Sequence, residues 1–137
     1  MSDNTLDIVR QGYAAFGRGD INGLLALLDE QVLWIAPGPP DLATSGRRTG
    51  RQAVGEFFTK VNEVFDIQRF EPKEFIVQGD KVAVLGSETA RVRASGTVLE
   101  LDWVHIFTVG GGKVVSFEEF FDTAAVVAAL SAARTAA

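Results

Sequence analysis

Apolar side chains recur at helical spacing in the first half of the chain and alternate with polar ones in the second half. The helical spacing predicts a first helix over residues 6–18 and, after a capping Asp20, a shorter second helix over residues 21–30. A short strand over residues 32–36 is ended by prolines, and a third amphipathic helix follows over residues 52–64. Three helices are therefore expected before most of the sheet.

Alternating runs occupy most of the second half and predict β-strands at residues 68–77, 81–93, 97–109 and 113–121. Short glycine-containing segments separate these runs, as in hairpin loops. A last, alanine-rich helix begins near Asp122 or Thr123, either of which is a suitable cap. Helices followed by a meander of long strands predict a single α+β domain over residues 1–137, in which the helices cover the concave face of a curved, mostly antiparallel sheet.

The hairpin turns predict which side chains face one another across the sheet. A two-residue turn at Ser95 and Gly96, between the strands predicted at residues 81–93 and 97–109, would place Glu88 opposite Trp103. The same turn would place Gly86 opposite His105. A three-glycine turn before the last strand would place Glu119 opposite Trp103 as well. Trp103 is therefore expected between two carboxyl groups on the face that the helices cover.

Polar residues interrupt this otherwise apolar face at Glu88, His105 and Glu119. A buried carboxylate is costly unless it is paired or protonated, and two such groups close together raise at least one pKa. A raised carboxyl pKa is how a general acid or base is set near neutrality. We therefore predict that these residues are catalytic, and the missing side chain at Gly86 predicts room for a cavity beside His105.

Other interpretations of these residues remain open. A single histidine on a sheet is often a hydrogen-bonded structural residue. A β-bulge near the glycine turn would move Glu119 to the outer face and bring Glu118 or Asp122 inward. One histidine with two glutamates is also a set that binds metal ions, but these residues lie on three predicted strands, so we expect no metal.

Composition and charge restrict the partners. The 137 residues include 18 acidic and 13 basic side chains, giving a formal charge of −5, so we expect no nucleic-acid partner. The absence of cysteine excludes disulfides and thiol nucleophiles. The sequence shows neither a signal-peptide pattern nor an apolar stretch long enough to cross a bilayer, which favours a cytoplasmic protein without membrane contact. We recognise no phosphate-binding or dinucleotide-binding loop and expect no cofactor.

Three segments resemble a known family. They are "AAFGRGD" at the end of the first helix, "IAPGPP" at the end of the first strand and "HIFTVGGGKVVSFEEFFD" near the end of the chain. Together with the order of elements, they resemble the SnoaL-like branch of the nuclear transport factor 2-like (NTF2-like) superfamily, especially ketosteroid isomerase-related proteins. The resemblance implies a cone-shaped α+β fold, a pocket between the helices and the concave sheet, and frequent dimerisation through the other face.

Limonene epoxide hydrolase-like enzymes of this superfamily use an arginine, two aspartates, a tyrosine and an asparagine. The resemblance places these functions on Gly86, Glu88, Glu119, Leu33 and Ile35. The carboxyl groups are kept, but the arginine, tyrosine and asparagine are missing. The resemblance therefore does not imply epoxide hydrolysis by that mechanism.

Ketosteroid isomerases use a tyrosine on the first helix and two aspartates, whose places fall on Gly12, on Ala36 and at or just before His105. That set is absent, since Tyr13 is next to the place of the tyrosine but is expected to point elsewhere on the helix. Polyketide cyclases of the SnoaL type rely on an acidic residue and a histidine near a large apolar pocket. They are the closest chemical match to Glu88, His105 and Glu119.

These observations predict a protein with a pocket for a small apolar molecule. As an enzyme it would be an isomerase, cyclase, dehydratase or hydrolase that uses acid–base chemistry on an apolar carbonyl or cyclic substrate; the alternative is a non-catalytic ligand-binding or dimerisation module. The uncovered face of the sheet is expected to form a homodimer. The predicted ligand-binding residues are Tyr13, Phe16, Leu33, Ile35, Phe58, Leu101, Trp103, Phe117 and Phe121.

Overall fold

The computed structural model describes residues 2–136, and side chains for residues 4–131. Two helices open the chain, a third follows the first two strands, and a fourth follows the last strand. In chain order the elements are α1 (Ser2–Gly17), α2 (Ile21–Ala26), β1 (Leu28–Ala36), β2 (Gly46–Thr49), α3 (Arg51–Val64), β3 (Phe65–Gln78), β4 (Lys81–Val92), β5 (Val98–Gly110), β6 (Lys113–Phe121) and α4 (Thr123–Ala136).

The strands form one sheet of six in the order β2-β1-β6-β5-β4-β3. All neighbouring pairs are antiparallel except β1 and β6, which are parallel. The main core lies between α1, α2 and α3 and the inner face of the sheet, where Val9, Val54 and Val84 are buried. The predicted α+β class, with helices over a curved and mostly antiparallel sheet, is confirmed.

The helix signals in the sequence correspond to observed caps. Asp20 accepts a hydrogen bond from the backbone N–H of Gly23 at 2.8 Å and starts α2. Asp122 accepts one from the N–H of Ala125 at 3.1 Å and starts α4. Strand β2, with the sequence "GRRT", was not predicted because it carries no apolar alternation and lies at the edge of the sheet. No helix within residues 2–136 is both long and apolar enough to span a membrane.

The pairing of β4 with β5 differs from the prediction by two residues. The connecting loop is longer than a two-residue turn, since the first pair beyond it is Arg91 with Val98. Gly86 therefore lies opposite Trp103, and Glu88 opposite Leu101. A shift of two keeps each side chain on its predicted face. The space over Gly86 is filled by the indole ring and is not a cavity.

The pairing of β5 with β6 is set by a bulge near the glycine turn. Gly110 pairs with Lys113 at the turn, and the register then shifts between Thr108 and Val109. Beyond this bulge, Glu119 lies opposite His105, so the predicted pairing of Glu119 with Trp103 is wrong. Without the bulge, the register at the turn would place Glu118 opposite His105. The bulge thus brings Glu119 inward, and the alternative in which a bulge turns it outward is wrong.

Candidate functional site

A cavity of about 130 Å³ lies between the helices and the concave face of the sheet; we call it the inner cavity. Most of its wall is aromatic or aliphatic. Its wall also contains four residues with titratable groups: Tyr13 from α1, Glu88 from β4, His105 from β5 and Glu119 from β6. Three predicted catalytic residues therefore border one hollow, together with a tyrosine.

Tyr13, His105 and Glu119 form a continuous hydrogen-bonded chain, which we call the Tyr–His–Glu chain. The hydroxyl oxygen of Tyr13 is 2.7 Å from Nδ1 of His105, and Nε2 of His105 is 3.0 Å from a carboxyl oxygen of Glu119. An ionised carboxylate can only accept hydrogen bonds. Nε2 of His105 therefore carries a hydrogen atom and donates a hydrogen bond to Glu119. In the neutral imidazole, Nδ1 is then the acceptor for the phenol proton of Tyr13.

The local structure explains how these groups meet. Val9, Tyr13 and Phe16 are separated by helical turns, so α1 presents all three to the sheet. His105 is 4% exposed, and the indole of Trp103 stacks on its ring with centroids 4.0 Å apart. Tyr13 lies nearly parallel to the imidazole, with an interplanar angle of 6°. The imidazole is therefore held by packing as well as by hydrogen bonds.

Glu88 borders the same cavity without belonging to the Tyr–His–Glu chain. No hydrogen-bond donor contacts its carboxyl group among the described residues. Burial and then repulsion from Glu119 raise the pKa of Glu88 from 4.5 to about 7, while Arg69 acts in the opposite direction. Glu88 consequently exchanges protons near neutral pH, as a general acid or base must.

The phenol group of Tyr13 is harder to ionise than an ordinary tyrosine. Burial, followed by the negative charge of Glu119, raises the pKa of its phenol group. Tyr13 therefore keeps its proton across the physiological range and acts as a hydrogen-bond donor. The site combines a carboxyl that titrates near neutrality with a phenol that stays neutral.

The predicted ligand-binding residues fall into two groups. Those that line the inner cavity are Tyr13, Phe16, Phe58, Leu101, Phe117 and Phe121. Trp103 does not line it, because its ring packs behind His105 and over Gly86. Leu33 and Ile35 do not line it either, since Trp34 between them points inward, and their placement in the pocket is a wrong prediction.

Sequence reasoning missed the contact between Tyr13 and His105. The resemblance placed the tyrosine function on Gly12, and Tyr13 was expected to point elsewhere; that expectation is wrong, because both residues border the cavity. The spacing of Val9, Tyr13 and Phe16 was the available signal, since it puts Tyr13 on the buried side of α1. Among the side chains that the structure describes, no group of three or more histidine, aspartate or glutamate residues is arranged to hold a metal ion.

Comparison with known proteins agrees with this architecture. Residues 9–117 match the model of the SnoaL-like domain. An NTF2-like protein from Burkholderia xenovorans is 38% identical, with a TM-score of 0.83 over 93% of this chain and 95% of that chain. An NTF2-like protein from Burkholderia pseudomallei and TerC, which was co-crystallised with polyporic acid, are each 32% identical, with TM-scores of 0.83 over 90% of this chain and 95% of theirs. No match was found among curated proteins.

Proposed function

Because the chain belongs to the SnoaL-like domain family of the NTF2-like superfamily, we propose that its inner cavity binds a small apolar carbonyl compound and catalyses proton transfer on it. The observation that carries this proposal is a carboxyl group with a pKa of about 7, Glu88, in a cavity that also contains a neutral phenol. The reaction class is an isomerisation by enolisation. Cyclisation, dehydration and hydrolysis are related reactions that need the same acid–base groups.

Glu88 is the base in this proposal. Its carboxylate removes a proton from the carbon next to the carbonyl group, and the electron pair of that C–H bond moves toward the carbonyl oxygen to form an enolate. Glu88, now protonated, returns the proton to another carbon of the same conjugated system, so no redox partner is needed. A base whose pKa lies near the working pH serves both half-reactions.

The Tyr–His–Glu chain stabilises the oxygen of the enolate. In the ground state the phenol proton of Tyr13 is donated to Nδ1 of His105, 2.7 Å away. As negative charge develops on the substrate oxygen, that oxygen becomes the stronger acceptor, and the phenol proton turns toward it while Tyr13 keeps its proton. Glu119, 3.0 Å from Nε2, fixes the imidazole that positions Tyr13. Such preoriented donors in an apolar site contribute strongly to catalysis.

A relative supports a ligand in this fold. TerC, which is 32% identical to this chain with a TM-score of 0.83, was co-crystallised with polyporic acid. The wall of the present cavity is mainly apolar, which favours a neutral substrate with few polar atoms.

The test is hydrogen exchange at the carbon next to the carbonyl of cyclohexanone, followed by NMR in deuterated water. We expect the protein to accelerate exchange, and Glu88→Gln to reduce the acceleration by about 100-fold or more. The matched control is Glu118→Gln, which makes the same change next to the site, on the outer face of β6. Equal exchange rates for wild type and Glu88→Gln would overturn the proposal, and binding without exchange would favour a non-catalytic ligand-binding module.

We also propose that the outer face of the sheet forms a homodimer. Leu85, Val104 and Phe120 lie side by side on three neighbouring strands, and Leu85 and Phe120 are 37% and 47% exposed. Ile76 on the edge strand is 51% exposed. Contiguous exposed apolar surface of this kind is typical of a protein interface. Sedimentation should show a dimer for the wild type and a monomer for Phe120→Glu; a wild-type monomer at high concentration would contradict the proposal.

A further inference from the structure

The volume of the inner cavity restricts the ligand to a single ring. A dry apolar cavity of about 150 Å³ in another protein holds one benzene molecule. The present cavity, at about 130 Å³, is of the same size. A molecule with two fused rings therefore exceeds this volume and fits only if the space is extended.

The deep wall is too well packed to give way. Trp34 stacks on Phe117 with centroids 3.9 Å apart and an interplanar angle of 17°. Phe117 also packs edge-on against Phe107 and His105, with ring centroids 5.2 Å and 4.7 Å from its own. Displacing Phe117 would break all of these contacts, and close-packed interiors resist such changes. The cavity can only be extended on another side.

That other side is a wider cleft of about 760 Å³ between the helices and β3, which we call the outer cleft. Its wall includes polar side chains such as Asn62, Arg69 and Arg93. Phe16 from α1 borders both the inner cavity and the outer cleft, as do four other aromatic side chains: Tyr13, Phe58, Phe65 and Phe70. These five side chains stand where the two spaces adjoin.

Phe16 is the central member of this group. The centroid of its ring is 4.9 Å from the ring centroid of Phe70 and 5.9 Å from that of Phe58. Phe70 is also stacked on Trp103 at 4.8 Å, and Phe58 also contacts Trp34 at 5.6 Å, so both have partners in the core. Phe16 has no further ring partner among the described residues. Tyr13 belongs to the Tyr–His–Glu chain, and Phe65 packs against two further buried clusters, which contain Val126 and Val92. Removing the ring of Phe16 therefore opens the passage with less damage to the core than removing any of the other four rings.

We propose that Phe16 determines ligand size by separating the inner cavity from the outer cleft, so that the native substrate is a neutral single-ring ketone or enone. This inference deepens the proposed function because it names the substrate class of the same cavity. It is tested by binding alone and does not need turnover. A failure of catalysis and a failure of size selection are therefore separate results.

The experiment compares cyclohexanone with 2-decalone, which carries the same carbonyl group on two fused rings. Binding is measured by NMR titration of the wild type, Phe16→Ala and Val98→Ala. The last variant shortens an apolar side chain that is 53% exposed and borders neither space, and it is the control. Phe16→Leu is included as a milder variant that keeps a buried apolar side chain if Phe16→Ala does not fold.

We expect the wild type and Val98→Ala to bind cyclohexanone at least about tenfold more tightly than 2-decalone. In Phe16→Ala the affinity for 2-decalone should rise by about tenfold or more, and Phe16→Leu should change it in the same direction by less. The proposal is overturned if the wild type binds 2-decalone as well as cyclohexanone, if it binds neither, or if the Phe16 variants keep the wild-type preference.

Discussion

The hydroxyl oxygen of Tyr13 lies 2.7 Å from Nδ1 of His105, although the two residues are 92 positions apart in the chain. This contact joins the first helix to the middle of the sheet at the wall of the inner cavity. It continues through Nε2 to Glu119, at 3.0 Å. A phenol, an imidazole and a carboxylate are thereby connected in one line, and Glu88 stands apart as the group that titrates near neutrality.

Tyr13→Phe tests the contribution of the hydroxyl group separately from that of the ring. The ring contacts with His105 and Trp103 are kept, while the hydrogen bond to Nδ1 is lost. We expect unfolding in denaturant to show a loss of about 1 kcal/mol, and exchange at cyclohexanone to slow by about tenfold or more. An unchanged exchange rate would show that Tyr13 does not contact the substrate oxygen.

The two neighbouring glutamates on β6 provide a test of the bulge. Glu119→Gln should change the imidazole nitrogen chemical shifts of His105, because the partner of Nε2 loses its charge. Glu118→Gln should leave these shifts as they are, since Glu118 lies on the other face. Nitrogen-detected NMR of the single histidine gives a direct measurement. The opposite pattern would mean that the observed register is wrong.

The pKa of Glu88 predicts how stability depends on pH. Because the folded-state pKa of about 7 lies above the ordinary 4.5, protonated Glu88 favours the folded state. This contribution is complete below the ordinary pKa and is lost as the pH rises through the folded-state value. The free energy of unfolding should therefore fall by about 3 kcal/mol more in the wild type than in Glu88→Gln between about pH 4 and pH 8. Parallel pH profiles in denaturant titrations would contradict this prediction.

Gly86 should not tolerate a side chain. A Cβ atom there would lie 2.6 Å from the carbonyl oxygen of Glu71 and closer still to the indole of Trp103. Gly86→Ala should lower the free energy of unfolding by about 1–3 kcal/mol. Gly12→Ala is the control, since nothing lies within 4 Å of its Cβ position in α1, and it should stabilise the protein by about 1 kcal/mol. Equal effects of the two substitutions would contradict the close packing at Gly86.

Local patterns in the sequence determined most elements of this fold and the faces of its long strands; they missed β2, and the predicted second helix was too long, since residues 28–30 belong to β1. Helical spacing and the caps Asp20 and Asp122 are local signals, and they correspond to observed helices. The alternation along β5 placed Trp103 and His105 on the buried face, as observed. The period of a strand is two residues, so an error of two in register left these faces correct.

The sequence could not determine the face of β1. The segment "VLWIA" is apolar at every position, so either alternate set is suitable for the core. The face of β1 is set where this strand pairs in parallel with β6, which is a long-range contact. In that pairing Trp34 points into the inner cavity and Ile35 points outward. Leu33 and Ile35 were assigned to the pocket from the resemblance to limonene epoxide hydrolase-like enzymes, and no local signal in β1 contradicted that assignment.

Tertiary structure alone decided which groups touch. The bulge beside the glycine turn selected Glu119 over Glu118 as the partner of His105, and the packing of α1 on the sheet brought Tyr13 to the same ring. The composition of the site was therefore accessible from the sequence, but its connections were not. Residue type and alternation are properties of the local chain, whereas strand register and helix docking depend on how distant segments pack together.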